Sequence, residues 1–194
     1  MSASHRALGR RFDAEHGVVT QALLFLGELD PEAIGDAMAH ATHYEPVPIP
    51  DFHALLDNVP DELVRRATFV DIGSGLGRAV MLAMARPFKR IVGIEVSAAL
   101  HETARENLRD ARDLPTLCRD VRLVRTDART FAYPPGDLVV FLFNPFDAVA
   151  LTQTLGRIQE RPSPGQTWLL HHTPSHNFEA PTLANWNVVT SPPS

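Results

Sequence analysis

The sequence predicts an α/β fold: an open, mostly parallel sheet with helices between its strands, preceded by a helical N-terminal extension. Three observations carry this. From Ala67 onward, short apolar, often β-branched runs alternate with helical stretches. A glycine-rich turn, Gly73-Ser74-Gly75-Leu76-Gly77, directly follows the first of those runs. Asp137–Phe143 is a near-continuous apolar run, as expected of a strand covered on both faces.

Composition bounds the rest. A chain of 194 residues, 44% of them hydrophobic, suits one domain with a real core and excludes a mostly disordered chain. The single cysteine, Cys118, leaves no internal disulfide and no cysteine-rich zinc site. No apolar run approaches the roughly 18–20 residues of a membrane span. Met1–Gly17 carries Arg6, Arg10 and Arg11, but no apolar h-region of a signal peptide follows closely, so none is evident and a cytoplasmic location is expected. Net charge is −5, with 5 Arg against 11 Asp/Glu in residues 1–66. That is no strong nucleic-acid signal.

The elements follow in order. Gly17–Leu29 reads as an apolar helical stretch, and Asp30-Pro31 as the start of another helix. Tyr44-Glu45-Pro46-Val47-Pro48-Ile49-Pro50 has alternate prolines and predicts an extended segment. Asp51 can cap a helix with Phe52, Leu55, Leu56 and Val59 on one face. These segments make residues 1–60 a helical extension, and residues 61–194 the main domain. There, Thr68–Asp71 is a strand and Arg78–Arg86 a helix ended by Pro87. Arg90–Val96 is a strand, and Ser97 caps a helix to about residue 113. Val121–Thr126 and Asp137–Phe143 are strands, and Asp147 can cap a helix to about Gln159. Thr167–His171 and Trp186–Thr190 complete the set.

The residues that carry chemistry lie at the carboxyl ends of these strands, where open α/β sheets bind ligands. Alternate glycines let the chain turn tightly and let a ligand approach the backbone. The spacing is Gly-x-Gly-x-Gly with Arg78 next, not a phosphate-binding Gly-x-Gly-x-x-Gly or a Walker loop. Asp71, just before the turn, repels a pyrophosphate but suits an ammonium or sulfonium. Glu95 ends the second strand, where a carboxylate can accept from ribose hydroxyls. Asp127-Ala128 ends the third, and Asn144-Pro145-Phe146 follows the fourth.

Over about residues 67–172 this ordered set resembles the class I, Rossmann-like S-adenosylmethionine-dependent methyltransferases. The resemblance implies a sheet in the order 3-2-1-4-5-6, with a final antiparallel strand left open because the chain ends soon after Thr190. It implies S-adenosylmethionine as cofactor. Gly73, Ser74, Gly75 and Gly77 would wrap its methionine part, with Asp71 ordering that loop. Glu95 would clamp the ribose, and Asp127 and Ala128 frame the adenine. A narrower likeness is to small uncharacterised bacterial methyltransferases and, more distantly, to non-SET histone-lysine methyltransferases. It implies a loop around residues 42–50, with Tyr44, Glu45 and Pro46, that closes over the cofactor. Asn144-Pro145-Phe146 is similar to the Asn-Pro-Pro-Tyr/Phe motif of amino-group methyltransferases, with one Pro missing. This implies that Asn144, Pro145 and Phe146 orient an acceptor nitrogen and shape its pocket, Asn144 also touching the cofactor.

The acceptor stays open among protein, RNA and small molecule. Two other readings share these residues: a module that binds S-adenosylmethionine without catalysis, and a nicotinamide-dependent oxidoreductase, against which the glycine spacing and Asp71 count. The histidines, including His171, His172 and His176, lack the helical spacing of a metal site, so no metal is expected. His172 ends the fifth strand and can line the active site. The arginines between 105 and 129 are interspersed with acids and read as a solvated face.

Overall fold

The computed structural model describes residues 2–22, 24–25, 43–143, 148–172 and 185–191. In chain order the described elements open with α1 (Ala3–His16), β1 (Leu24–Phe25), β2 (His43–Tyr44), α2 (Ile49–Leu56) and α3 (Asp61–Val64). The alternating part follows with β3 (Thr68–Ile72), α4 (Arg78–Ala83), β4 (Arg90–Glu95), α5 (Ala98–Asp110) and β5 (Val121–Arg125). It ends with β6 (Gly136–Phe143), α6 (Ala148–Gln159), β7 (Pro164–His172) and β8 (Trp186–Thr190).

Six strands form one sheet in the order β5-β4-β3-β6-β7-β8, which is 3-2-1-4-5-6 among the sheet's own strands. Every neighbouring pair in it is parallel. The last strand, left open as antiparallel from the sequence, is parallel to β7. The central strand β3 pairs with β4 on one side and β6 on the other, and all five of its residues are buried. One apolar cluster, with Phe52, Phe69, Phe88 and Phe141, fills one face. A second, with Val70, Ile94, Leu151 and Ile158, fills the other. Phe52 meets Phe141 edge to face at 5.2 Å, so α2 shares the core of the main sheet.

The N-terminal region departs from expectation. A helix lies at Ala3–His16, Gly17 closes it in the left-handed conformation at φ 68°, and the described residues of the expected Gly17–Leu29 helix (17–22 and 24–25) are not helical. Beyond Gly17, side-chain acceptors take the backbone donors that a helix would need. The Asp13 carboxylate accepts from Thr20 N at 2.8 Å, Gln21 N at 2.7 Å and Thr20 Oγ1 at 2.6 Å. Asn107 Oδ1 accepts from Val19 N at 2.9 Å. The helix expected at Asp30-Pro31 lies outside the described residues. Tyr44 ends β2 and Pro48 is extended at φ −61° and ψ 130°, but Pro50 sits in the first turn of α2, where its missing N–H costs nothing. The helix therefore starts at Ile49, and Asp51 stands in its first turn instead of capping it.

Candidate active site

The site forms where β3 and β4 end. After Asp71, the chain turns back through glycines at φ 74°, 53° and 87° (Gly73, Gly75 and Gly77), and α4 begins. Side chains with a Cβ strongly disfavour this run of left-handed residues. The turn is fastened to the next strand, because Gly73 N and Ser74 N both donate to Ile94 O at 2.9 Å. Glu95 completes the fastening. One of its oxygens accepts from Gly75 N at 2.8 Å and the other from Ser97 N at 2.8 Å. Burial pushes the Glu95 carboxyl upward, and these backbone donors oppose the rise.

Asp71 is the less satisfied carboxylate. It is 3% exposed, and its Oδ2 has no hydrogen-bond partner among the described residues; neither does Ser74 Oγ. Burial, aided by the nearby Glu95 charge, pushes its carboxyl up to about 8. An orphaned carboxylate oxygen beside a glycine cradle fits a cationic, hydroxyl-bearing ligand.

Tyr44 covers this cradle. A Cβ at Gly75 would overlap its ring, so the absent side chain is what admits the tyrosine. The Tyr44 hydroxyl donates to Thr20 O at 2.8 Å, and burial pushes its ionisation far above the ordinary range. Tyr44, Glu45 and Pro46 line a cavity with Asp71, Gly73, Ser74 and Arg78, whose free volume is about 30 Å³. That is about one-tenth of the smallest pockets that take a drug-sized ligand, roughly 300 Å³.

Of the sequence-derived site, the structure gathers Tyr44, Glu45, Asp71, Gly73 and Ser74 on one cavity, with Gly75 under the Tyr44 ring and Glu95 behind the turn. Gly77 serves as the N-cap of α4. Asp127 is engaged locally. Its carboxylate accepts from Arg129 N at 2.8 Å and from Arg129 Nη2 at 2.6 Å. Ala128 is buried, and its carbonyl accepts from Tyr133 Oη at 3.1 Å. Asn144, Pro145 and Phe146 lie outside the described residues; Phe143, just before them, lines the cavity.

Sequence reasoning passed over Arg78 as a site residue. It lines the cavity at 2% exposure, and the signal was its position directly after the glycine turn. His172 is buried, with Nδ1 at 2.6 Å from Ser191 Oγ and its ring 4.7 Å from that of Phe143. Arg105, Arg109, Arg122 and Arg129 each pair with a neighbouring acid, in keeping with a solvated face. Among the described residues, no group of three or more His, Cys, Asp or Glu is placed to hold a metal ion. No described helix is long and apolar enough to cross a membrane.

Residues 70–164 match the family model of a methyltransferase domain. A Haemophilus influenzae structure, described as a candidate methylase, is similar at 15% identity and TM-score 0.50, covering 66% of this chain and 74% of that one. An Escherichia coli structure, described as a candidate methyltransferase, shares 21% identity at TM-score 0.48, covering 59% of this chain and 63% of that one. A Methanococcus maripaludis structure, described as a candidate S-adenosyl-L-methionine-dependent methyltransferase, shares 20% identity at TM-score 0.45, covering 64% and 56%. This chain thus spans less than two thirds of the last two. No curated protein matches it. Taken with the strand order and the glycine turn after Asp71, the family match makes residues 70–164 a class I methyltransferase domain whose cofactor is S-adenosylmethionine.

Proposed function

We propose that the protein transfers a methyl group from S-adenosylmethionine to an acceptor nitrogen, with residues 1–60 as an extension that helps close the site. The observation that carries the cofactor half is the buried Asp71 Oδ2, without a partner among the described residues, on a cavity beside the glycine turn. When bound, S-adenosylmethionine supplies an electrophilic methyl group on a sulfonium, so the chain itself needs only to bind, align and exclude water.

Asp71 would accept from the ligand's ammonium. Glu95 accepts from Gly75 N on one oxygen and from Ser97 N on the other, with Val96 N a third backbone donor to the carboxylate, and a ribose hydroxyl would join that set. Asp127 and Ala128 would frame the adenine, with Arg129 holding the Asp127 carboxylate in place. Tyr44 and Glu45 would close the site from above. The acceptor half rests on Asn144-Pro145-Phe146. An Asn side-chain oxygen and a Pro carbonyl there would accept from the target nitrogen, and Phe146 would pack against it. The acceptor is a protein, an RNA or a small molecule.

Calorimetry with S-adenosylmethionine and S-adenosylhomocysteine, with NADH as control, tests the first half. Micromolar binding of the first two, without NADH binding, is expected; binding of NADH alone overturns the reading. Mass spectrometry of product from amine, peptide and RNA pools tests the second. The expected adduct is N-methyl, sensitive to Asn144→Ala. Methyl on oxygen or carbon alone refutes the nitrogen assignment.

A further inference from the structure

We propose that Arg78 reads the carboxylate of the ligand's amino-acid end, opposite Asp71, so that the cavity is built for a zwitterion. This rests on the cofactor reading above and adds to it the group that distinguishes an amino acid from a simple amine. Arg78 is the first residue of α4, directly after Gly77. Its side chain is almost wholly enclosed, yet it lines the same cavity as Asp71, Gly73 and Ser74. The other charged residues on that lining, Glu45 and Asp71, are acids, so among the described residues Arg78 is its one cation.

The guanidinium is held without being fully neutralised. Its Nε donates to Thr20 Oγ1 at 2.7 Å and Nη1 to Gln21 Oε1 at 3.0 Å, both uncharged acceptors. Its carboxylate contact, Nη2 to Asp13 Oδ1, is 3.5 Å long. Asp13 meanwhile accepts three shorter bonds from Thr20 and Gln21. These contacts fix the plane of the fork and use three of its five N–H donors. A buried guanidinium with weak compensation favours an incoming anion. A planar fork with donors to spare suits a carboxylate. Asp71 supplies the complementary acceptor for the ammonium on the same amino acid.

The alternative is that Arg78 only anchors the N-terminal segment. Calorimetry on the full chain separates the two, using S-adenosylmethionine and its decarboxylated analogue. The analogue keeps the sulfonium, the ammonium and the nucleoside and lacks only the carboxylate. The wild-type protein is expected to prefer the complete molecule by about ten- to hundred-fold, the range of a charge-assisted bond. Arg78→Gln should erase that preference by weakening S-adenosylmethionine alone. Arg78→Lys, which keeps the charge and loses the fork, should leave a partial preference and covers the case in which the Gln variant does not fold. Equal binding of both ligands by the wild type overturns the role of Arg78 and leaves the cofactor reading standing. A preference that survives in either variant at full strength overturns it too. Binding of neither ligand overturns the cofactor reading and this inference with it.

Discussion

Replacing Asp71 by Asn should flatten the dependence of stability on pH. The Asp71 carboxyl rises from 3.8 to about 8 in the folded protein because it is buried beside Glu95. Its folded pKa is above its unfolded one, so it favours folding while it is protonated. That contribution is complete below pH 3.8 and is lost as pH rises toward 8, because only the unfolded chain ionises across that interval. Each pH unit is worth about 1.4 kcal/mol, so between pH 5 and 8 this one group removes at most about 4 kcal/mol. That is a large share of the roughly 5–15 kcal/mol typical of a domain. The Asn side chain does not titrate. Any cost of placing an amide there is the same at every pH, which makes the slope the readout. Urea unfolding of both proteins at pH 5, 6, 7 and 8 measures it, and the two curves should diverge by several kcal/mol in total. Parallel curves would refute the burial argument. The same reasoning makes ligand binding release a proton. A cation meeting Asp71 Oδ2 favours its ionised form, so calorimetry near pH 6.5 in buffers of contrasting ionisation heat should report close to one proton released.

Other perturbations act through different contacts. Gly75→Leu places a side chain on the Tyr44 ring at a residue with φ 53°, so it should abolish cofactor binding and cost about 1–2 kcal/mol in backbone strain alone. Unchanged affinity by calorimetry would sink the assignment of the turn. Tyr44→Phe removes the 2.8 Å bond to Thr20 O and should lower stability by about 1 kcal/mol in denaturant melts, with no loss beyond that range. Asp13→Ala strips the Arg78 guanidinium of its carboxylate and orphans two backbone donors; a loss of about 3–5 kcal/mol in chemical unfolding is expected, and a shift under 1 kcal/mol would show that Arg78 is satisfied elsewhere.

The central strands were legible because each carries its own evidence. In Phe69-Val70-Asp71-Ile72 and Leu138–Phe143, apolar residues fill both faces, and no amphipathic helix shows that pattern. The glycine turn was legible because positive φ is demanded at alternate positions. The N-terminal helix was misplaced for a physical reason. Val18, Val19, Leu23 and Leu24 have helical apolarity, but the backbone donors at 19–21 go to Asp13 and Asn107, one of them 88 residues away in the chain. No local pattern encodes that contact. Asp127 was placed by strand-end logic, and its capture by Arg129 two residues later depends on a rotamer that spacing does not fix. The role of Tyr44 came from resemblance; its seat on Gly75 is visible only once β2 and the turn are brought together.

The parallel sheet also dictates an order of assembly. No neighbouring pair in it can form as a local hairpin. Thr68 of β3 pairs with Arg90 on one side and with Leu138 on the other. As the chain emerges from a ribosome, β3, β4 and β5 can come together while β6 is still unmade. Through that interval the edge of β3 that will pair with β6 stands open, its backbone N–H and C=O groups unpaired. Non-local closures of this kind make folding slow and expose the intermediate to aggregation. The glycine turn lies at the end of that waiting strand, so the cavity gains its Phe141 and Phe143 wall only when the second half docks. A chain interrupted before residue 136 would carry the turn and Glu95 and still lack a pocket.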